Sequence, residues 1–232
     1  MKASGNARLI VDAVVFDLDG TLIDSLDVYC RILNAALVTL GLPAAPREDI
    51  LKAIRQGEFD WDCVLPESVK AEKEETIRQA RKIISEIYPR RFREEAKMIA
   101  GVDAILKEIS GCGMKIGLVT STPQILLEDK LHPLKGSGVE NVFDAIITTD
   151  DVAKKKPAAD PLIACGRLLD VDMADMVYVG DARTDIQAGR AAGMMTIGVL
   201  TGNDGYEALM AENPDAVIGS VVELRQVISF DP

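Results

Sequence analysis

Short apolar runs rich in valine and isoleucine recur along the chain at 10–16, 115–120, 145–149, 176–180 and 195–200. Runs of this length, without polar alternation, are the pattern of strands buried on both faces. Between them, segments 102–109, 161–169 and 185–192 place apolar residues at helical spacing. Strand and helix in alternation predict a parallel sheet covered by helices on both sides, a doubly wound, Rossmann-like α/β core.

Residues 24–97 break this rhythm. They hold no convincing strand and instead carry helix-period apolar sets, Leu26, Leu33, Leu37 and Leu40, then Ile77, Ala80, Ile84 and Ile87. This predicts an inserted helical cap domain over 24–97, set at the end of the first strand, with the core split between 1–23 and 98–232. Charge supports the division. The insert holds 13 basic and 14 acidic residues and the remainder 13 and 23, so an anion meets less repulsion at the insert.

With 48% of 232 residues hydrophobic, the chain can bury a substantial core. A net charge of −11 excludes the basic footprint of a nucleic-acid binder, and a phosphorylated ligand would need a local positive site. The apolar stretch near the start is broken at Asp12 and too short for a signal peptide, and no transmembrane run follows. Cys30, Cys63, Cys112 and Cys165 lie far apart without C-x-x-C spacing, the pattern of reduced thiols in a cytoplasmic protein. The single histidine, His132, reads as structural, and Arg90, Arg91 and Arg93 as a solvated helix face.

Four groups of polar residues fall at the carboxyl ends of the expected strands, where open α/β sheets keep their ligand crevice. The first strand runs into Asp17-Leu18-Asp19-Gly20-Thr21-Leu22, whose two carboxylates project to one side while the backbone stays extended, repel each other and invite a cation. A hard ion such as Mg2+ suits oxygen ligands and is satisfied by one or two carboxylates plus a substrate phosphate. Thr120 and Ser121 offer hydroxyls and amides to phosphate oxygens, and Lys156, followed by Pro157, offers a point charge. Gly180-Asp181-Ala182-Arg183-Thr184-Asp185 sets carboxylates at i and i+4 around a helix start.

In this order, the sequence resembles the haloacid dehalogenase superfamily, with residues 17–25 as its first motif, Thr120 as its second, and Lys156 and the segment 180–185 as its third and fourth. The likeness spans nearly the whole chain, and an insert between the first and second motifs is similar to the cap of phosphoglycolate phosphatase-like members. The resemblance implies a magnesium-dependent phosphatase acting on a small phosphorylated metabolite, with 2-phosphoglycolate the leading candidate; the sequence leaves monomer or homodimer open. It implies that Asp17 attacks phosphorus and that Asp19 protonates the leaving oxygen and then activates water. It implies magnesium held by the Asp17 carboxylate, the Asp19 backbone carbonyl and Asp181, with Asp185 in support, and a phosphoryl group held by Thr120 and Lys156.

The presence of Asp19 favours phosphate chemistry over carbon–halogen cleavage. Ser121 stands where relatives often carry asparagine, and Ala159 where a proline is frequent. Within the insert, Arg55 and Gln56 ahead of Gly57 are candidates for contacting the leaving group. Two alternatives remain open: a sugar-phosphate mutase resembling β-phosphoglucomutase, using the same Asp17 and Asp19, and a non-catalytic binding module on the same fold.

Overall fold

The computed structural model describes residues 8–54 and 59–230, and within them every side chain but that of Lys70. The expectation at Arg55, with Gln56 and Gly57, lies outside the described residues. The chain forms two compact units, one being Asp24–Lys97 and the other the residues on either side of it.

In chain order the first elements are β1 (Ala13–Phe16), β2 (Ile23–Asp24), α1 (Leu26–Thr39), α2 (Arg47–Ile54), α3 (Lys73–Glu95) and β3 (Lys97–Met98). Next come α4 (Val102–Gly111), β4 (Lys115–Val119), α5 (Gln124–Leu131), β5 (Ala145–Ile147), α6 (Asp160–Leu169) and β6 (Met176–Gly180). The chain continues through α7 (Arg183–Ala192), β7 (Met195–Val199), α8 (Tyr206–Met210), β8 (Ala216–Ile218) and α9 (Leu224–Val227).

Six strands form one sheet in the order β5-β4-β1-β6-β7-β8, and every pairing is parallel. The α/β architecture expected from the alternation is the one observed. Strand β1 lies in the middle with all of Ala13, Val14, Val15 and Phe16 at 0% exposure, because a central parallel strand has helices over both faces. On one face Val15, Val119, Leu162, Cys165 and Tyr178 share a buried cluster. The chain winds outward from β1 to β4 and β5, then returns to lay β6, β7 and β8 on the other side. The order therefore reverses between β1 and β6, and the loops leaving these two strands frame the crevice that such a reversal opens.

Several strands are shorter than their apolar runs. The first begins at Ala13, since Ile10 is 81% exposed. The fifth ends at Ile147, because the next residue starts a turn: the Thr148 hydroxyl accepts from the Asp150 N–H, and Asp151 accepts from the Thr148 N–H at 2.7 Å. Strand β8 was not foreseen, its three residues being too few to show a period.

The unit Asp24–Lys97 has its own core, in which Leu33 and Leu37 of α1, Ile50 and Ala53 of α2, Ala80 of α3 and Trp61 from the segment between α2 and α3 are buried together. Ile77 and Ile84 flank it, as their spacing requires. Asn34 ties the turn after α1, accepting from the Ala45 N–H at 2.8 Å and donating to the Ala45 carbonyl at 3.1 Å. On α3, Arg90 pairs with Glu94 at 2.9 Å and Arg91 with Glu95 at 3.5 Å, while Arg93 is exposed. The two ends of the insert do carry strand, since β2 and β3 pair as a short ribbon.

Candidate active site

The residue that leaves β1 is Asp17, whose N–H bonds the Val179 carbonyl at 2.9 Å, so sheet pairing continues one step past the strand and fixes the carboxylate over its end. Lys156, arriving from the loop before α6, sets its ammonium 2.7 Å from Asp17 Oδ1, 2.7 Å from Asp185 Oδ1 and 3.0 Å from the Tyr178 hydroxyl. These contacts match the three donors of an ammonium. The Lys156 side chain is only 7% exposed, and its buried carboxylate neighbours hold its pKa well above the ordinary lysine value against the opposing pull of desolvation.

Asp185 reaches this point from the first turn of α7, where its other oxygen accepts from the Ala182 N–H at 3.0 Å. One carboxylate thus caps the helix and pairs with Lys156. Tyr178, buried on β6, lies 3.2 Å from Asp185 Oδ1 and 3.2 Å from the Val119 carbonyl.

Asp181 follows β6 and is held from two sides. Thr21 donates to its Oδ1 at 3.3 Å and the Asn203 N–H to its Oδ2 at 2.6 Å. The loop after β7 can approach this closely because Gly202 lacks a side chain, a Cβ there falling 1.9 Å from Asp181 Oδ2. Gly20 has φ +78, and a Cβ would lie 2.5 Å from the same oxygen, so the turn after Asp19 requires glycine twice over. Thr201 closes the arrangement by donating to the Gly20 carbonyl at 2.6 Å. Asp204 accepts from the Arg183 N–H at 2.8 Å at the start of α7.

Thr120 directly follows β4, with its N–H on the Ile147 carbonyl at 2.9 Å. Its hydroxyl lies 3.0 Å from that of Thr122 and accepts from the Thr122 N–H at 3.2 Å. Ser121 is exposed between them, and a small cleft lined by Thr120, Ser121, Thr148, Thr149, Lys155 and Lys156 opens at this end of the sheet. Asp19 turns away from the other carboxylates. Its two oxygens each lie 2.5 Å from the ammonium of Lys130 on α5, a buried lysine that sequence reasoning missed.

Asp17, Asp181 and Asp185 are all buried, and each offers an oxygen within 4.8 Å of the others. Desolvation, the largest cause, with the neighbouring Asp185 and Asp19, pushes Asp17 up to about 7 against the opposing pull of Lys156. Burial, then Asp17 and Asp185, likewise holds Asp181 well above the usual carboxylate range. Three buried carboxylates around one ammonium leave an excess of negative charge. The all-oxygen donor set fits a hard divalent cation of the Mg2+ kind. The Asp19 carboxylate stands outside this group.

Residues 14–199 match the family model described as haloacid dehalogenase-like hydrolase. The chain is 31% identical to a phosphoglycolate phosphatase of Yersinia pestis, over 95% of this chain and 94% of that one. It is 30% identical to the phosphoglycolate phosphatase of Escherichia coli K12, over 95% and 93%. A crystal structure of a predicted phosphoglycolate phosphatase from Haemophilus somnus superposes with a TM-score of 0.80 at 22% identity, covering 94% of this chain and 97% of the other. The chain belongs to the haloacid dehalogenase-like hydrolase family.

Proposed function

We propose that this hydrolase cleaves a small phosphate monoester in two steps through a phosphorylated Asp17. It is a phosphoric monoester hydrolase. The observation that carries the two-step reading is the position of the Asp17 carboxylate at the end of β1, one hydrogen bond from Lys156 and beside Asp181 and Asp185.

In the first step an oxygen of Asp17 attacks phosphorus while Asp19 gives its proton to the departing ester oxygen. In the second, Asp19 takes a proton from water, whose oxygen attacks the phosphorylated Asp17 and frees inorganic phosphate. Lys156 orients Asp17 and neutralises charge on the transferring oxygens, and Thr120 and Ser121 line the place where those oxygens sit. Asp17, Asp181, Asp185 and the Asp19 backbone oxygen would hold Mg2+, which supplies further positive charge to the phosphoryl group when bound. We further propose that residues 24–97 act as the cap domain of a cytoplasmic enzyme and that the names of its relatives make 2-phosphoglycolate the first substrate to try.

Phosphate release is measured from a panel that includes 2-phosphoglycolate and β-glucose 1-phosphate, with magnesium, with chelator, and with Asp17→Asn. Release that needs both magnesium and Asp17 is expected. Release that persists in Asp17→Asn, or none from any ester, would overturn the reading.

A further inference from the structure

Helix α5 buries a charge beside the reacting carboxylates. Lys130 is 2% exposed and sits near the helix's carboxyl end. Its ammonium meets both oxygens of Asp19 at 2.5 Å, from 111 residues away in the chain. The Lys130 side chain is 3% exposed and that of Asp19 25%, so the cation is the inner partner and the carboxylate keeps an open side.

Stability alone is a poor account of such a pair. Desolvating an ammonium is costly, and an apolar side chain of similar volume in place of a buried ion pair is often neutral or stabilising. What the pair does supply is a fixed orientation, since both carboxylate oxygens are held by one buried ammonium. A fixed orientation is what Asp19 needs to hand a proton to the leaving group and then to take one from water.

We infer that Lys130 is a positioning residue for Asp19, holding both oxygens of its carboxylate in one orientation through the two half-reactions. The inference rests on the acid–base role given to Asp19 above. In the first step the bond from Asp17 to phosphorus forms, the ester bond breaks, and the Asp19 proton leaves with the alcohol. Lys130 receives the carboxylate so formed. In the second step the water proton passes to Asp19, the water oxygen bonds phosphorus, and the Asp17–phosphorus bond breaks. Lys130 exchanges no proton in either step.

The test uses p-nitrophenyl phosphate with magnesium, because p-nitrophenolate departs without help from an acid and leaves hydrolysis of the phosphorylated enzyme as the step that needs Asp19. With Lys130→Met, kcat is expected to fall about 100-fold, the order of a general base's contribution. KM should fall with it, leaving kcat/KM nearly unchanged. A burst of one p-nitrophenol per enzyme and an intact mass increased by one phosphoryl group should accompany the change. Lys130→Arg, which keeps the charge, should restore most of the turnover.

Lys130→Gln carries the same expectation and replaces the methionine variant if that one fails to fold. Asp19→Asn separates the two ideas. If it gives no burst and no phosphorylated enzyme, the role of Asp19 has failed; if it does while both Lys130 variants turn over as wild type, only the role of Lys130 is overturned.

Discussion

Asp17 and Lys156 stand 139 residues apart in sequence and meet at 2.7 Å, carboxylate oxygen to ammonium, each side chain less than a tenth exposed. The same ammonium also holds Asp185, so the ends of β1 and the start of α7 are joined through one nitrogen. The surroundings remain too acidic for a single lysine to balance, and the pH behaviour of the protein should record that.

The Asp17 carboxyl is pushed from 3.8 up to about 7. The folded protein therefore keeps a proton there that the unfolded chain has released above pH 4. Stability from this group is complete below the unfolded value and is lost as pH rises toward the folded one. Urea melts in chelator should show wild type losing on the order of 2 kcal/mol between pH 5 and pH 7 relative to Asp17→Asn. Parallel profiles for the two proteins would contradict this, and added magnesium should flatten the wild-type slope.

Gly202 should be intolerant of the smallest side chain. A Cβ there would meet Asp181 Oδ2 at 1.9 Å, inside the carboxylate that Asn203 holds. Gly202→Ala is expected to displace Asp181 and weaken magnesium binding by about 10- to 100-fold, the usual effect of disturbing a ligand's support. Calorimetric titration with magnesium chloride measures this directly, and an unchanged affinity would show that Asp181 is not a ligand.

Tyr178→Phe removes a hydroxyl that touches both Lys156 and Asp185. The loss of buried hydrogen bonding should cost about 1 kcal/mol of stability. If the hydroxyl helps to aim Lys156, kcat should also fall by up to about tenfold, a barrier change of the same size. Thermal melts and steady-state kinetics on one preparation separate the two effects.

Much of this site was legible in the chain because its carboxylates sit next to the elements that place them. Asp17 directly follows an apolar run, and Asp181 and Asp185 bracket a helix start, so strand and helix periodicity alone bring three of them to one edge of the sheet. Lys130 was invisible for the opposite reason. In Glu128-Asp129-Lys130-Leu131 it reads as part of a solvated helix face, and only the fold reveals that Asp129 and Lys130 are buried. Tyr178 was hidden within an apolar strand, where an aromatic residue reads as core filling, and its hydroxyl gains a task only when Lys156 arrives from the other side. Asp204 and Thr201 belong to a loop whose relevance depends on β7 lying beside β6, a long-range pairing that no local pattern announces.

The position of β1 also sets the order in which the chain can be assembled. Its neighbours are β4, reached at Lys115, and β6, reached at Met176, so during synthesis Val14 and Val15 leave the ribosome long before either hydrogen-bonding partner exists. The helical segment Asp24–Lys97, whose contacts are closer in sequence, can meanwhile organise itself. A fully buried strand is thus a sticky peptide made well before either of its partners, and its protection over that interval falls to whatever binds nascent chains.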